Sequence, residues 1–135
     1  MIVVDSSALV AIIFGEPERA NFRQVIETAA KVFVSSVSVV EAKMVVHSRR
    51  GERAVILLDG LLKLPMFEIV APDVTDIDAA YDAFITFGKG SGHRAGLNFG
   101  DVFSYALAKV RGLPLLFKGD DFIHTDIRSA IPRVV

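Results

Sequence analysis

Four acids in this sequence stand where a carboxylate can do chemistry. Asp5 follows Ile2-Val3-Val4, three β-branched residues without alternation, the pattern of a short strand buried on both faces of a parallel sheet. An acid there falls at the strand's carboxyl end, the edge where ligands and metals gather in open α/β sheets. Glu41 comes soon after a second apolar run, Val32–Val34; Asp101 opens a helix at Asn98-Phe99-Gly100-Asp101; Asp120, with Asp121 beside it, follows a further run, Leu113–Phe117. Each acid also has a purely structural account. Asp5, Ser6 or Ser7 can cap a helix, Ser38 and Glu41 make the S-x-x-E pattern of a capping box, Asp101 suits a helix start assisted by Asn98, and Gly119-Asp120-Asp121 suits a turn. The four accounts are independent, whereas the acids can converge at one edge of one sheet. Carboxylates so close repel, and some would hold protons. A hard divalent cation removes that conflict, and an all-oxygen site without His or Cys suits Mg²⁺ or Mn²⁺. Such ions, keeping waters in their shells, are the usual agents of phosphodiester cleavage.

The elements that must position these acids alternate along the chain. After Asp5, Ala8–Phe14 reads as a short apolar helix ended by Gly15. Pro17–Ala30 is amphipathic, with Phe22, Val25, Ile26 and Ala29 on one face. The helix carrying Glu41 runs to about Arg50, where Gly51 breaks it, and Glu52–Leu64 forms another before Pro65. Met66–Val70 is a third strand and Asp73–Gly88 a helix whose Asp76 and Asp78 favour the helix dipole. Lys89–Asn98 is a polar loop with three glycines, too polar to pack a core and of the kind that often carries function. The helix opened by Asn98 buries Val102, Phe103, Ala106, Leu107 and Val110 and ends at Gly112; Ser104 follows Asp101 by one turn. Leu113–Phe117 is a fourth strand and Pro132–Val135 a short closing one at an edge. This alternation means an α/β domain with a mostly parallel sheet of four to five strands and right-handed crossovers.

Composition bounds the rest. A chain of 135 residues makes one domain, and 52% hydrophobic content exceeds what so small a core needs. Glu52–Leu64 is apolar nearly all round, so Ser38–Arg50 and Glu52–Leu64, through Val45, Val46, Val55, Ile56, Leu57, Leu58, Leu61 and Leu62, are expected to form a homodimer interface. The longest apolar run, Ala8–Phe14, is far short of a bilayer span, and no basic leader precedes it, so a cytoplasmic protein without membrane contact is expected. Without cysteine there are neither disulfides nor thiolate metal sites. A net charge of −1 does not advertise a nucleic-acid binder. Four acids gathered on a metal would nevertheless leave the remaining surface positive, and basic residues do cluster at Lys43, His47, Arg49, Arg50 and Arg53 and at Lys89, His93 and Arg94. Either cluster is equally a solvated helix face or polar loop.

The pieces VVDSSALVAI, SVSVVEA, GLNFGDVFSYALAK and LLFKGDDFIHTDI, in this order and spacing over nearly the whole chain, resemble a PIN-domain ribonuclease of the VapC type, the toxin of a toxin–antitoxin pair. The resemblance implies a single PIN domain over residues 1–135, a Rossmann-like three-layer α/β/α sandwich, and Mg²⁺- or Mn²⁺-dependent endonucleolytic cleavage of RNA. It places metal on Asp5 and Asp101 and makes Glu41 the second acid, with Asp120 the fourth and Asp121 in reserve. Ser6 or Ser7 stands where the family commonly has a small hydroxyl residue, and Ser7 and Ser104 are candidate supporting residues. Lys118, His93 and Arg94 are candidate phosphate contacts by position, His93 also reading as an ordinary loop histidine. A homodimer and a VapB-type antitoxin are the partners implied; relatives' antitoxins lay an apolar segment nearby and send a basic side chain toward the acids. A haloacid-dehalogenase-like phosphatase would need a second Asp at position 7, which is Ser7, and a receiver domain would need an acid ending Phe67–Val70. The remaining alternative is a catalytically silent PIN-like module that binds RNA or protein.

Overall fold

The computed structural model describes residues 1–131. The closing strand expected over Pro132–Val135 lies outside the described residues. Strands β1 (Ile2–Val4), β2 (Val32–Ser35), β3 (Phe67–Val70) and β4 (Leu115–Leu116) form one sheet in the order β3-β2-β1-β4, every pairing parallel. Helices α1 (Ser6–Ile13) and α2 (Arg19–Thr28) connect β1 to β2, α3 (Ser36–Arg50) and α4 (Glu52–Leu62) connect β2 to β3, and α5 (Val74–Phe87) and α6 (Phe99–Arg111) connect β3 to β4.

Alternation along the strands divides the core in two. Ile2, Val4, Val32, Val34 and Leu116 face a layer built from α1 to α4, where Leu9, Ile12, Phe22, Ile26, Val46 and Leu58 are buried. Val3, Phe33 and Leu115 face the opposite way onto α5 and α6, with Ala80, Ala83, Tyr105, Ala106 and Leu107. Both faces of the strands are therefore apolar, which is why Ile2-Val3-Val4 shows no alternation. The result is the three-layer α/β/α sandwich the sequence implied. The chain moves outward from β1 through β2 and β3, then returns to place β4 on the other side of β1. The carboxyl ends of β1 and β4 thus flank the point where strand order reverses, the crevice in which open α/β sheets bind ligands.

Three expectations need correction. The expected fourth strand shortens to Leu115–Leu116, because Leu113 and Pro114 belong to the connection from α6. The loop over residues 89–98 does contribute to the core. The Lys89 N–H donates to the Leu97 carbonyl and the Leu97 N–H to the Phe87 carbonyl, and Ala95 and Leu97 are buried under α5 and α6. Finally, Val46, Val55 and Leu58 fill the intramolecular core between α1, α3, α4 and the sheet, so they are not interface residues. Ile56 and Leu57 of the same expected set stay exposed on α4, and further large exposed apolar side chains gather on α5 and its neighbours: Val74, Ile77, Tyr81, Phe84 and Ile85, with Phe99 on α6 and Val40 and Met44 on α3.

Candidate active site

Asp5 leaves β1 and caps α1. Its backbone N–H still pairs with the Leu116 carbonyl at 2.9 Å, while its Oδ2 accepts from the Ser7 N–H at 3.0 Å. Capping and chemistry are compatible here, because the other oxygen, Oδ1, accepts from the Ser104 hydroxyl on α6 at 2.5 Å. The side chain is buried at the switch point between β1 and β4.

β2 passes into α3 without a loop, and Ser35, at the junction, takes the N-cap position by accepting from the Val37 N–H at 3.2 Å. This removes the capping box expected of Ser38 and Glu41. Their side chains turn to other partners: Ser38 meets Ser104 at 3.0 Å, and Glu41 Oε1 accepts from the Ser6 hydroxyl at 2.5 Å. Glu41 Oε2 lies against the backbone of Gly100, where any Cβ would overlap the carboxylate. Asp101, by contrast, keeps its cap. Asn98 Oδ1 accepts from the Asp101 N–H at 2.9 Å, and Asp101 Oδ2 accepts from the Asn98 N–H at 3.0 Å, leaving Oδ1 free of that box.

Asp5, Glu41 and Asp101 come together closely enough to repel. Burial pushes the Asp101 carboxyl up to about 7; the Asn98 amide opposes this, and the charges of Asp5, Asp121 and Glu41 add to it. Burial likewise raises Glu41, against the stabilising Ser6 hydroxyl and with a further push from Asp5. Asp121 rather than Asp120 is the acid of the 118–121 loop whose charge reaches Asp101. Both acids of that loop are exposed.

Among the described residues no group of three His, Asp or Glu side chains closes into a cage for an ion. The donor set nevertheless fits a hard cation that keeps most of its waters and takes only one or two carboxylates. It is all oxygen, it carries excess negative charge that burial makes costly, and neighbouring donors pin Glu41 and Asp101 at one oxygen each and Asp5 at both. Asp5 and Asp101 are the residues that would hold the ion.

The other candidates are dispersed. Ser7 Oγ accepts from the Lys118 N–H at 3.0 Å, tying the 118–121 loop to the start of α1, while the Lys118 ammonium pairs with Glu16 and, at 3.1 Å, with Glu18. His93 is fixed within its own loop, accepting from the Ala95 N–H at 3.0 Å and meeting the Phe87 ring edge-on, and Arg94 is exposed on the same loop. Among the described residues, none of Lys118, His93 and Arg94 pairs with a cluster acid. The sequence reading passed over the part played by Gly100 and Ser38. A glycine inside the first turn of a helix is unfavourable for helix formation, and that signal could have located the close approach of Glu41.

With three carboxylates gathered at the switch point of a parallel sheet, the chain belongs to the PIN domain family, whose model matches residues 2–128. Within it, the chain is 46% identical over 131 residues to ribonuclease VapC30 of Mycobacterium tuberculosis, spanning 96% of this chain and 99% of that protein. It is 45% identical over 127 residues to a ribonuclease VapC of Mycolicibacterium smegmatis, covering 94% and 98%. Among solved structures, Mycobacterium tuberculosis VapC20, described as a sarcin-ricin loop cleaving toxin, superposes with a TM-score of 0.80 at 16% identity, over 98% of this chain and 100% of that one. VapBC2 of Rickettsia felis, solved bound to a promoter DNA fragment, gives 0.73 at 16% identity, over 96% of each. These two likenesses speak to the fold.

Proposed function

We propose that this chain is a metal-dependent endoribonuclease, the toxin of a toxin–antitoxin pair, which hydrolyses RNA phosphodiester bonds at the Asp5–Glu41–Asp101 cluster. One observation carries the reading: three carboxylates from β1, α3 and α6 converge at the switch point, where burial and neighbouring acidic charge raise Glu41 and Asp101, and each is anchored by a neighbouring donor. Near full-length relatives named as ribonucleases support RNA as the substrate class.

A bound Mg²⁺ or Mn²⁺ would lower the pKa of a coordinated water toward neutrality and offset charge on the phosphoryl oxygens. Asp5 and Asp101 would hold the ion. Glu41, anchored through Oε1 by Ser6, presents Oε2 beside Gly100, and its raised proton affinity suits it to take a proton from the attacking water. Asp121 takes the fourth acidic position in preference to Asp120, because its charge reaches Asp101. The chain acts on RNA without a covalent intermediate.

Two partners complete the reading. The first is a second copy of the chain, docked through Ile77, Tyr81 and Phe84 of α5 and Phe99 of α6, with Val40 and Met44 of α3 adjoining. These side chains line two shallow hollows of about 420 and 470 Å³ that share Phe99, and pairing with a second copy would cover apolar side chains that the single chain leaves exposed. The second is a VapB-type antitoxin, whose apolar segment fits the cleft of about 260 Å³ lined by Ile12, Ile13, Leu57, Leu61 and Leu64 and rimmed by Arg19 and Arg23. Among the described residues no helix is long and apolar enough to cross a membrane. The test is cleavage of structured RNA by purified protein in Mg²⁺ and in EDTA, beside Asp5→Asn. Metal-dependent cuts that Asp5→Asn lacks support the reading. A folded wild type that binds RNA and never cuts it favours the silent module.

A further inference from the structure

We propose that Ser38 and Ser104 form a buried, one-way hydroxyl relay that fixes Asp5 for a divalent cation, an inference that rests on the metal-dependent reading of this site. All three side chains are almost wholly enclosed, at 0%, 1% and 2% exposure for Ser38, Ser104 and Asp5. A serine inside a helix ordinarily bonds the carbonyl one turn back or points to solvent. Ser104 instead reaches from α6 to Asp5 Oδ1 at 2.5 Å, and Ser38 reaches from α3 to Ser104 at 3.0 Å. The relay thus joins the three elements that carry Asp5, Glu41 and Asp101.

Proton counting sets its direction. An ionised carboxylate only accepts, and a serine has one hydroxyl proton. Ser104 gives that proton to Asp5, in the short range of a charge-assisted O–H···O⁻ bond. The proton between the two serines therefore belongs to Ser38. Ser104 thus accepts on one side and donates on the other, so neither buried hydroxyl is left without a partner. With Ser7 N–H on Oδ2 and Ser104 on Oδ1, both oxygens of Asp5 are held, and the carboxylate keeps one orientation before any ion arrives. Outer partners of this kind orient the groups that touch a metal. Ser38 and Ser104 are positioning residues acting through Asp5.

The direction makes the two serines unequal, and the test uses that inequality. Mn²⁺ binding to the full chain is measured by electron paramagnetic resonance of the free ion, with melting curves in EDTA confirming the fold. Ser104→Ala should weaken Mn²⁺ binding by about 10- to 100-fold. Ser104→Thr, which keeps the donor, should recover most of it. Ser38→Ala should cost only a few-fold, because Ser104 still donates to Asp5. With saturating RNA and limiting Mn²⁺, Ser104→Ala should lower kcat and leave KM for RNA nearly unchanged. Should Ser104→Ala fail to melt cooperatively, Ser104→Cys, a weaker donor, replaces it with an intermediate loss expected. Wild-type Mn²⁺ binding in Ser104→Ala beside a silent Asp5→Asn overturns the relay alone. Equal losses in Ser38→Ala and Ser104→Ala overturn its direction. Wild-type Mn²⁺ binding in Asp5→Asn overturns the metal reading and the relay's purpose with it.

Discussion

Asp101→Asn should make the metal-free protein more stable, by an amount that grows as pH rises above about 4 and is complete by about pH 7. The Asp101 carboxyl sits at about 7 in the folded chain against 3.8 when unperturbed. Between those values the folded state holds a proton that the unfolded chain has released, so stability falls as pH rises through that window and the full deficit is present above about pH 7. At about 1.4 kcal/mol per pH unit the gap corresponds to about 4 kcal/mol. The site opens to solvent on one side, and screening reduces this to about 1–2 kcal/mol. Asn keeps an oxygen for the Asn98 N–H, so the capping box survives the change. For a chain of this size the gain corresponds to about 3–7 °C in Tm. The assay is thermal melting in EDTA across a series of buffers from about pH 4.5 to 8, where the variant's advantage should be full at the upper end and nearly gone at the lower. A variant no more stable than wild type at the upper end, or an advantage of constant size across the series, would refute the idea that Asp101 is held against its charge by burial and its acidic neighbours.

Four further outcomes are expected. Gly100→Ala should reduce RNA cleavage about tenfold or more by displacing the Glu41 carboxylate, while its melting curve shifts by no more than about 1 kcal/mol; unchanged cleavage would mean Oε2 has no role. Leu58→Glu should abolish cooperative melting, since a lone buried charge costs about 3–5 kcal/mol at a position with 0% exposure. Tyr81→Asp should keep the fold and move sedimentation from dimer toward monomer, and an unaltered dimer would put the interface elsewhere than α5. Lys118→Met should lower stability by up to about 1 kcal/mol, an effect that added salt shrinks, by leaving Glu16 and Glu18 without their shared cation.

Where the acids fall relative to the strands was legible because it depends on local pattern. Ile2-Val3-Val4 followed by Asp5 reads as a buried strand delivering an acid to the sheet edge, and it is one. The choice between cap and chemistry was less sharp than the sequence suggested: Asp5 and Asp101 each give an oxygen to a cap and keep capacity for the site. Glu41 looked like a capping-box residue only because the start of α3 was placed too late. Ser35, still in β2, takes the cap, and that depends on how tightly strand meets helix rather than on the S-x-x-E spacing. The apolar surplus was legible as a quantity but not as a location. In α4 the run Val55-Ile56-Leu57-Leu58 is half core and half surface, according to which neighbours α4 packs on, whereas the stripe of α5 through Val74, Ile77, Tyr81 and Phe84 has no covering element among the described residues. Packing partners of a helix are set by topology, which a single helix's periodicity does not encode.

The account's central claim is that Asp5, Glu41 and Asp101 are one metal-dependent hydrolytic site. The most direct test is single-turnover cleavage of a defined RNA by wild type, Asp5→Asn, Glu41→Gln and Asp101→Asn, titrated with Mg²⁺ from an EDTA-treated state. The account predicts cleavage that rises with Mg²⁺ in wild type, vanishes in EDTA, and is lost in Asp5→Asn and Asp101→Asn and strongly reduced in Glu41→Gln, all four proteins melting cooperatively. Cleavage that persists in EDTA, or that Asp5→Asn and Asp101→Asn both retain, would contradict it.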